Sequence, residues 1–162
     1  MKILIFAYQQ ADDIELICSA DFLRQNGYIV VIYAQTTPIT LSHGTVLIPD
    51  TTFIPPICDA ILLPGGQGFK QLIKNSVAKQ LFQQYHLQSK YIFTISSASA
   101  LVQWKIWHQI PVCTYPGLEV QGAVYQNQQV VVGGKYICGR GIGGIIEFLE
   151  QIHKKFTKSN QF

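Results

Sequence analysis

The run Tyr91-Ile92-Phe93-Thr94-Ile95-Ser96-Ser97-Ala98-Ser99-Ala100-Leu101 constrains this chain more than any other segment. A β-type apolar stretch stops abruptly in small residues. A helical pattern then begins with Ala98, Leu101, Val102 and Ile106. The order is strand, sharp turn, helix, with Ser96 at the tip. In an open α/β sheet such a turn lies at the carboxyl end of a strand, where ligands and catalytic groups gather. A tight turn there lifts one side chain out of the packing. The chain therefore has an elbow built to present a nucleophile, and the group presented is a hydroxyl.

The remaining sequence reads as alternating strands and helices. Residues 3–7 form a continuous apolar run, as expected of a strand buried on both faces. Asp12 or Asp13 can cap a first helix, in which Ile14, Ile17, Cys18, Phe22 and Leu23 recur at helical spacing and Asn26-Gly27 marks the end. Strands are expected at 28–34, 45–48 and 59–63. The last runs into Pro64-Gly65-Gly66-Gln67-Gly68, a turn whose glycines let backbone approach a ligand closely. Residues 69–85 read as helix, and the elbow helix is expected to end near Trp107. Residues 112–114 read as short and extended. Residues 130–132 and 136–138 flank Gly133-Gly134, a hairpin signal. A glycine-rich turn, 139–144, leads into a final amphipathic helix. Residues 156–162 are expected to fray. One α/β domain over 1–162 follows, with a doubly wound, mostly parallel, flavodoxin-like sheet and helices on both faces.

Composition narrows the functional classes. With 162 residues, 48% hydrophobic and 13% charged, the chain suits one compact domain. The net charge of +3 is mild, and no basic stripe is interleaved with exposed aromatics, so nucleic acid is not an expected partner. No segment reaches the length of a membrane span, and no signal pattern opens the chain, so the cytoplasm is the expected compartment. Cys18, Cys58, Cys113 and Cys138 are widely spaced. Buried, inert thiols are expected rather than a disulfide framework or a metal site. Trp104 and Trp107 read as core aromatics, and His86, His108 and His153 as solvated.

Four segments, in order, carry a resemblance: Ala11-Asp12-Asp13-Ile14-Glu15, Leu63-Pro64-Gly65-Gly66, Ile95-Ser96-Ser97-Ala98 and Gly139-Arg140-Gly141-Ile142-Gly143. Their order and spacing resemble the ThiJ/PfpI superfamily, in particular the branch of the Parkinson-associated protein deglycase and YajL. In that family a cysteine stands at the elbow and a glutamic acid of the first helix hydrogen-bonds to it. By register those positions are Ser96 and Glu15. The resemblance further implies that Gly65, Gly66 and Ser97 offer backbone N–H groups to an anion or oxyanion. It implies a homodimer, with the loop of His43 near the dimer contact, so that His43 is either a surface loop residue or, with Tyr115, a pocket residue. It implies no cofactor. Where many members have a histidine, in a Thr-His-Pro context, this chain has Thr114-Tyr115-Pro116.

The departures matter chemically. A thiol can be driven to thiolate by its surroundings, whereas a serine hydroxyl needs an adjacent general base. The family geometry offers only Glu15, and a carboxylate near pKa ~4.3 is a poor match unless burial raises it. Ser96 also cannot climb the sulfenic–sulfinic ladder. Ser96 is a tolerated small residue, a working nucleophile, a retained ligand-binding position, or an introduced change. Arg140 could bind an anion or form a surface ion pair. The expected function is a family member without the site cysteine, binding a small molecule or a protein in stress handling. A weak Ser96/Glu15 hydrolase or carbonyl-modifying enzyme is the alternative, and a structural subunit is the third class.

Overall fold

The computed structural model describes residues 1–157. In chain order the elements are β1 (Lys2–Phe6), α1 (Asp13–Gln25), β2 (Ile29–Tyr33), β3 (Ile39–Thr40), β4 (Val46–Leu47) and β5 (Ala60–Leu63). There follow α2 (Phe69–Leu72), α3 (Ser76–Leu87), β6 (Tyr91–Ile95), α4 (Ala98–Gln103), β7 (Pro111–Val112) and β8 (Val124–Tyr125). The chain ends through β9 (Val130–Val132), β10 (Tyr136–Gly139), a 3-10 turn at Ile142–Gly144 and α5 (Ile145–Thr157). The main sheet has the order β2-β1-β5-β6-β10-β9, parallel throughout except for β9, which runs antiparallel to β10. Order reverses at β1, so the crevice above the carboxyl ends of β1 and β5 is the expected ligand position in such a sheet.

The apolar runs become the centre of the sheet because both faces are covered. Residues Ile3 to Phe6 and Ala60 to Leu63 are fully buried. α5 covers one face, where Phe156 stacks edge-on against Tyr91 at 4.9 Å between ring centroids. α3 covers the other, where Phe82 meets Phe6 and Trp104. Among the described residues no helix is long and apolar enough to cross a membrane.

Several local expectations are corrected. α1 does not bury the apolar face its spacing suggests. Ile14 and Ile17 are 50% and 42% exposed, while Asp13, Glu15, Leu16, Ser19, Ala20 and Leu23 face inward. The register is set by Asp12, whose side chain accepts the Glu15 N–H and caps the helix, which turns two carboxylates toward the protein. The expected helix over 69–85 is broken into α2 and α3 because Asn75 caps afresh, accepting from the Ala78 N–H. α4 stops at Gln103, earlier than expected, with Lys105 in the left-handed region. The strand expected at 45–48 is the second arm of a separate β3–β4 pair, and β7 pairs in parallel with β8 outside the main sheet. At the other end, α5 runs through Thr157 with Phe156 5% exposed, so fraying does not begin at 156. The rest of the expected frayed tail, 158–162, lies outside the described residues.

Candidate functional site

Ser96 follows the last residue of β6 and has φ 62, in the left-handed region where a non-glycine residue carries strain of roughly 1–3 kcal/mol. Four contacts hold it there. Its N–H donates to the Gly139 carbonyl at 2.9 Å. Its carbonyl accepts the Thr114 hydroxyl at 2.7 Å and the Tyr115 N–H at 3.1 Å. Its own Oγ lies 2.5 Å from Glu15 Oε1. The Thr114 hydroxyl is itself backed by Ser99 Oγ at 3.3 Å, and Ser99 by the Tyr125 hydroxyl at 3.2 Å. The elbow is thus held from behind as well as in front.

Glu15 is 3% exposed. Its Oε2 accepts the Gly65 N–H at 2.7 Å, so both carboxyl oxygens are engaged. Burial is the main reason its pKa rises from the ordinary 4.5 to about 7, with the nearby Asp12 charge adding to it. The hydrogen bonds from Ser96 and Gly65 pull the other way and do not prevail. Glycine is required at 65, since a Cβ there would stand 2.5 Å from Ser96 Cβ. It is also required at 66, where φ is +136 and a Cβ would meet the Gln10 carbonyl oxygen at 2.2 Å.

These residues form the floor of a cavity of about 520 Å³. Asp12, Glu15, Gly66 and Ser96 line its depth. His43, Lys70, Tyr115, Leu118 and Ile142 line it as well, most of them solvent-exposed. Ser96, Glu15, Gly66, Tyr115 and His43, all expected from sequence, therefore meet at one place. Gly65 does so in a different role: its N–H is committed to Glu15 and is not free for an anion, which corrects the expectation. The amides of Gly66 and Ser97 donate to no group among the described residues. Ser97 is fully buried behind the elbow, with its hydroxyl donating to the Leu63 carbonyl at 2.8 Å.

The His43 ring belongs to this chain's own cavity but does not reach Ser96. Its backbone N–H donates to Asp13 Oδ2 at 2.8 Å and its Nδ1 lies 3.2 Å from the same oxygen. Asp13 also accepts the Thr45 N–H, and those hydrogen bonds hold its carboxyl below the usual range despite burial. Tyr115 is 55% exposed and does not fill the cavity. Among the described residues Arg140 forms no salt bridge: its guanidinium bonds Asn127 and does not line the cavity, while its carbonyl lies 3.5 Å from Ser96 Oγ. Sequence reasoning missed Asp13 as the anchor of the 42–45 loop and Thr114 as the clamp on the elbow carbonyl. Thr114 had a usable signal in its place beside Tyr115-Pro116. None of the four cysteines stands at the elbow. Cys58, Cys113 and Cys138 are buried, Cys18 is half-buried, and burial pushes the Cys113 thiol up to about 11.

The DJ-1/PfpI family matches this chain over residues 1–155. The deglycase PfpI of Pyrococcus furiosus is 26% identical over 163 residues, covering 95% of this chain and 98% of that protein. An isonitrile hydratase of Pseudomonas putida is 24% identical, covering 91% of this chain and 68% of that one. Among solved structures, Drosophila melanogaster DJ-1beta superposes with a TM-score of 0.89 at 24% identity, covering 95% of this chain and 89% of that chain. A cysteine-to-alanine mutant of a Salmonella typhimurium DJ-1 superfamily protein gives 0.91 at 23% identity, with 97% and 90% covered.

Proposed function

The chain belongs to the DJ-1/PfpI family, and on that premise we propose that it binds small molecules at the elbow without thiol chemistry. The observation that carries this reading is the Ser96–Glu15 contact of 2.5 Å at the floor of the cavity, where the buried group at the tip is a hydroxyl. An alcohol becomes a nucleophile only if a base takes its proton. No imidazole touches either Ser96 or Glu15 among the described residues, since the His43 ring sits beside Asp13. What remains is a strained, desolvated polar pair with an open cavity above it, which is a binding site.

One observation favours a second reading, a weak serine hydrolase or carbonyl-modifying enzyme. Glu15 at about 7 lies where a general base works best near neutral pH. A test separates the two. The protein is titrated with methylglyoxal, benzoate and benzamide in a calorimeter, and methylglyoxal loss is followed beside a buffer control. Saturable binding that weakens in Ser96→Ala, with no turnover above buffer, is the expected result. Turnover that is abolished by Ser96→Ala and rises with pH through about 7 would replace the binding reading with the serine enzyme.

The same reading includes a homodimer. Ile14 and Ile17 leave an apolar stripe of α1 in solvent, which supports a second copy as its cover. Sedimentation at micromolar concentration tests this, and a monomer would refute it.

A further inference from the structure

We infer that the cavity takes a small organic carboxylate together with one proton, and that the proton resides on Glu15. This deepens the binding reading above and rests on it. The floor of the cavity holds few protons. Glu15 Oε2 accepts the Gly65 N–H, so a neutral Glu15 carries its proton on Oε1, which faces Ser96 Oγ. Ser96 has one hydroxyl proton. When Glu15 is ionised, that proton is spent on Oε1 and Ser96 offers the cavity only lone pairs. When Glu15 is neutral, its own O–H fills the 2.5 Å contact and the Ser96 O–H is released. Among the described residues the one other acceptor bonded by Ser96 Oγ is the Arg140 carbonyl, at a long 3.5 Å. The released O–H therefore serves an acceptor arriving in the cavity.

Charge selects the same state. Asp12 and Glu15 both line the cavity. A carboxylate entering while Glu15 is ionised would meet two like charges at low dielectric. Uptake of one proton removes the nearer one and supplies a donor at the same step. The other ionisable groups facing Glu15 do not substitute for it. Tyr8, from the end of β1, is buried, is driven further toward its neutral form, and donates to the Pro64 carbonyl at 3.0 Å. His43 and Asp13 are bound to each other at the cavity edge. Lys70 lines the cavity and contributes a positive charge, and Gly66 lines it with an amide that has no partner among the described residues. Phe69, Leu118 and Ile142 give the organic part of the ligand an apolar wall.

The probe pair is benzoate and its neutral isostere benzamide, titrated into the full chain from about pH 5.5 to about pH 8.5. At the alkaline end the titration is repeated in two buffers of different ionisation enthalpy, which counts protons. The expected result is constant benzoate affinity at low pH, then roughly a tenfold loss per pH unit above the Glu15 pKa, with one proton taken up per ligand. Benzamide shows neither effect. Glu15→Gln binds benzoate with no slope and no proton uptake, while His43→Gln keeps both, which separates the carboxyl from the imidazole. Benzoate binding without a pH slope, or a slope that survives Glu15→Gln, overturns the inference and leaves the binding reading standing. Binding of benzamide or methylglyoxal but not benzoate does the same. No binding of any of the three overturns both.

Discussion

The floor and the rim of the cavity are built on different principles. At the floor, Ser96 and Glu15 are almost wholly buried, both Glu15 oxygens are engaged, and Gly65 is excluded from carrying a side chain because a Cβ there would stand 2.5 Å from Ser96 Cβ. At the rim, Tyr115 and Ile142 are about half exposed and the His43 side chain is 68% exposed. Buried polar networks are costly to break because each lost partner leaves an unsatisfied group in a low-dielectric interior. Exposed side chains carry no such penalty. The comparison teaches that the elbow geometry does not need a thiol. The floor keeps its shape through backbone contacts and one carboxyl, while the rim is built from exposed side chains that hold no part of that network.

The largest test of that contrast is the pH dependence of stability. Glu15 has a higher pKa folded, about 7, than the ordinary 4.5. Between those values the folded state holds a proton that the unfolded chain has lost, so stability falls as pH rises through that window. The difference corresponds to about 3 kcal/mol, fully expressed above about pH 7 and absent below about pH 4.5. Glu15→Gln keeps a donor toward Ser96 and an acceptor for Gly65 but cannot ionise. Urea unfolding should show wild type and variant equally stable near pH 4, with the variant more stable by about 3 kcal/mol at pH 8. Asp13 acts in the opposite sense, contributing stability that is lost only as pH falls through its own depressed value, and does not disturb this window. A gap between wild type and variant that ignores pH would mean the floor does not desolvate Glu15.

Gly65→Ala breaks the floor sterically. The new Cβ would overlap Ser96 Cβ, and both atoms are rooted in backbone that cannot swing aside. A loss of about 2 kcal/mol is expected from thermal or urea unfolding, with the pH gap above diminished because Glu15 is pushed off Ser96. An unaffected variant would show that the turn at 64–66 is softer than its contacts imply.

Thr114→Val removes one of two hydrogen bonds to the Ser96 carbonyl at constant shape. The Tyr115 N–H remains, so the expected cost is about 1 kcal/mol. A cost near zero would assign the strain of Ser96 to its remaining contacts with Gly139, Tyr115 and Glu15.

Much of this contrast was legible in the sequence. The strand–elbow–helix run put Ser96 at the tip of a sharp turn, and the family resemblance, rather than any spacing, set Glu15 at its side; the structure has both. What the sequence could not convey was competition for donors. Gly65 reads as an anion-binding amide until a carboxyl oxygen is seen occupying it. The burial of α1 was also misleading. Ile14 and Ile17 suggest a core stripe, but the Asp12 cap fixes a register in which Leu16, Ala20 and Leu23 pack inward and the isoleucines do not. The second cap at Asn75 and the early end of α4 at Gln103 depend on single hydrogen bonds and turns that apolar periodicity does not report. The β3–β4 and β7–β8 pairs are two residues long, too short for any alternation to register.

The smallest effect is expected at the rim, and it decides whether floor and rim are separable. Tyr115 contributes two things: a backbone N–H that holds the Ser96 carbonyl, and a half-exposed ring at the cavity edge beside Gly141. Tyr115→Ala deletes the ring and keeps the N–H. An exposed side chain outside any network changes stability by no more than about 0.5 kcal/mol. The variant should therefore melt with wild type and retain the full pH gap set by Glu15. Its benzoate affinity should fall a few-fold on the proposed binding reading, because a ring lining the cavity beside Leu118 and Ile142 is gone. If Tyr115→Ala instead costs as much stability as Thr114→Val, the ring is part of the clamp on the elbow. Ligand selection and elbow geometry would then be one property of this protein, and the division between floor and rim would not hold.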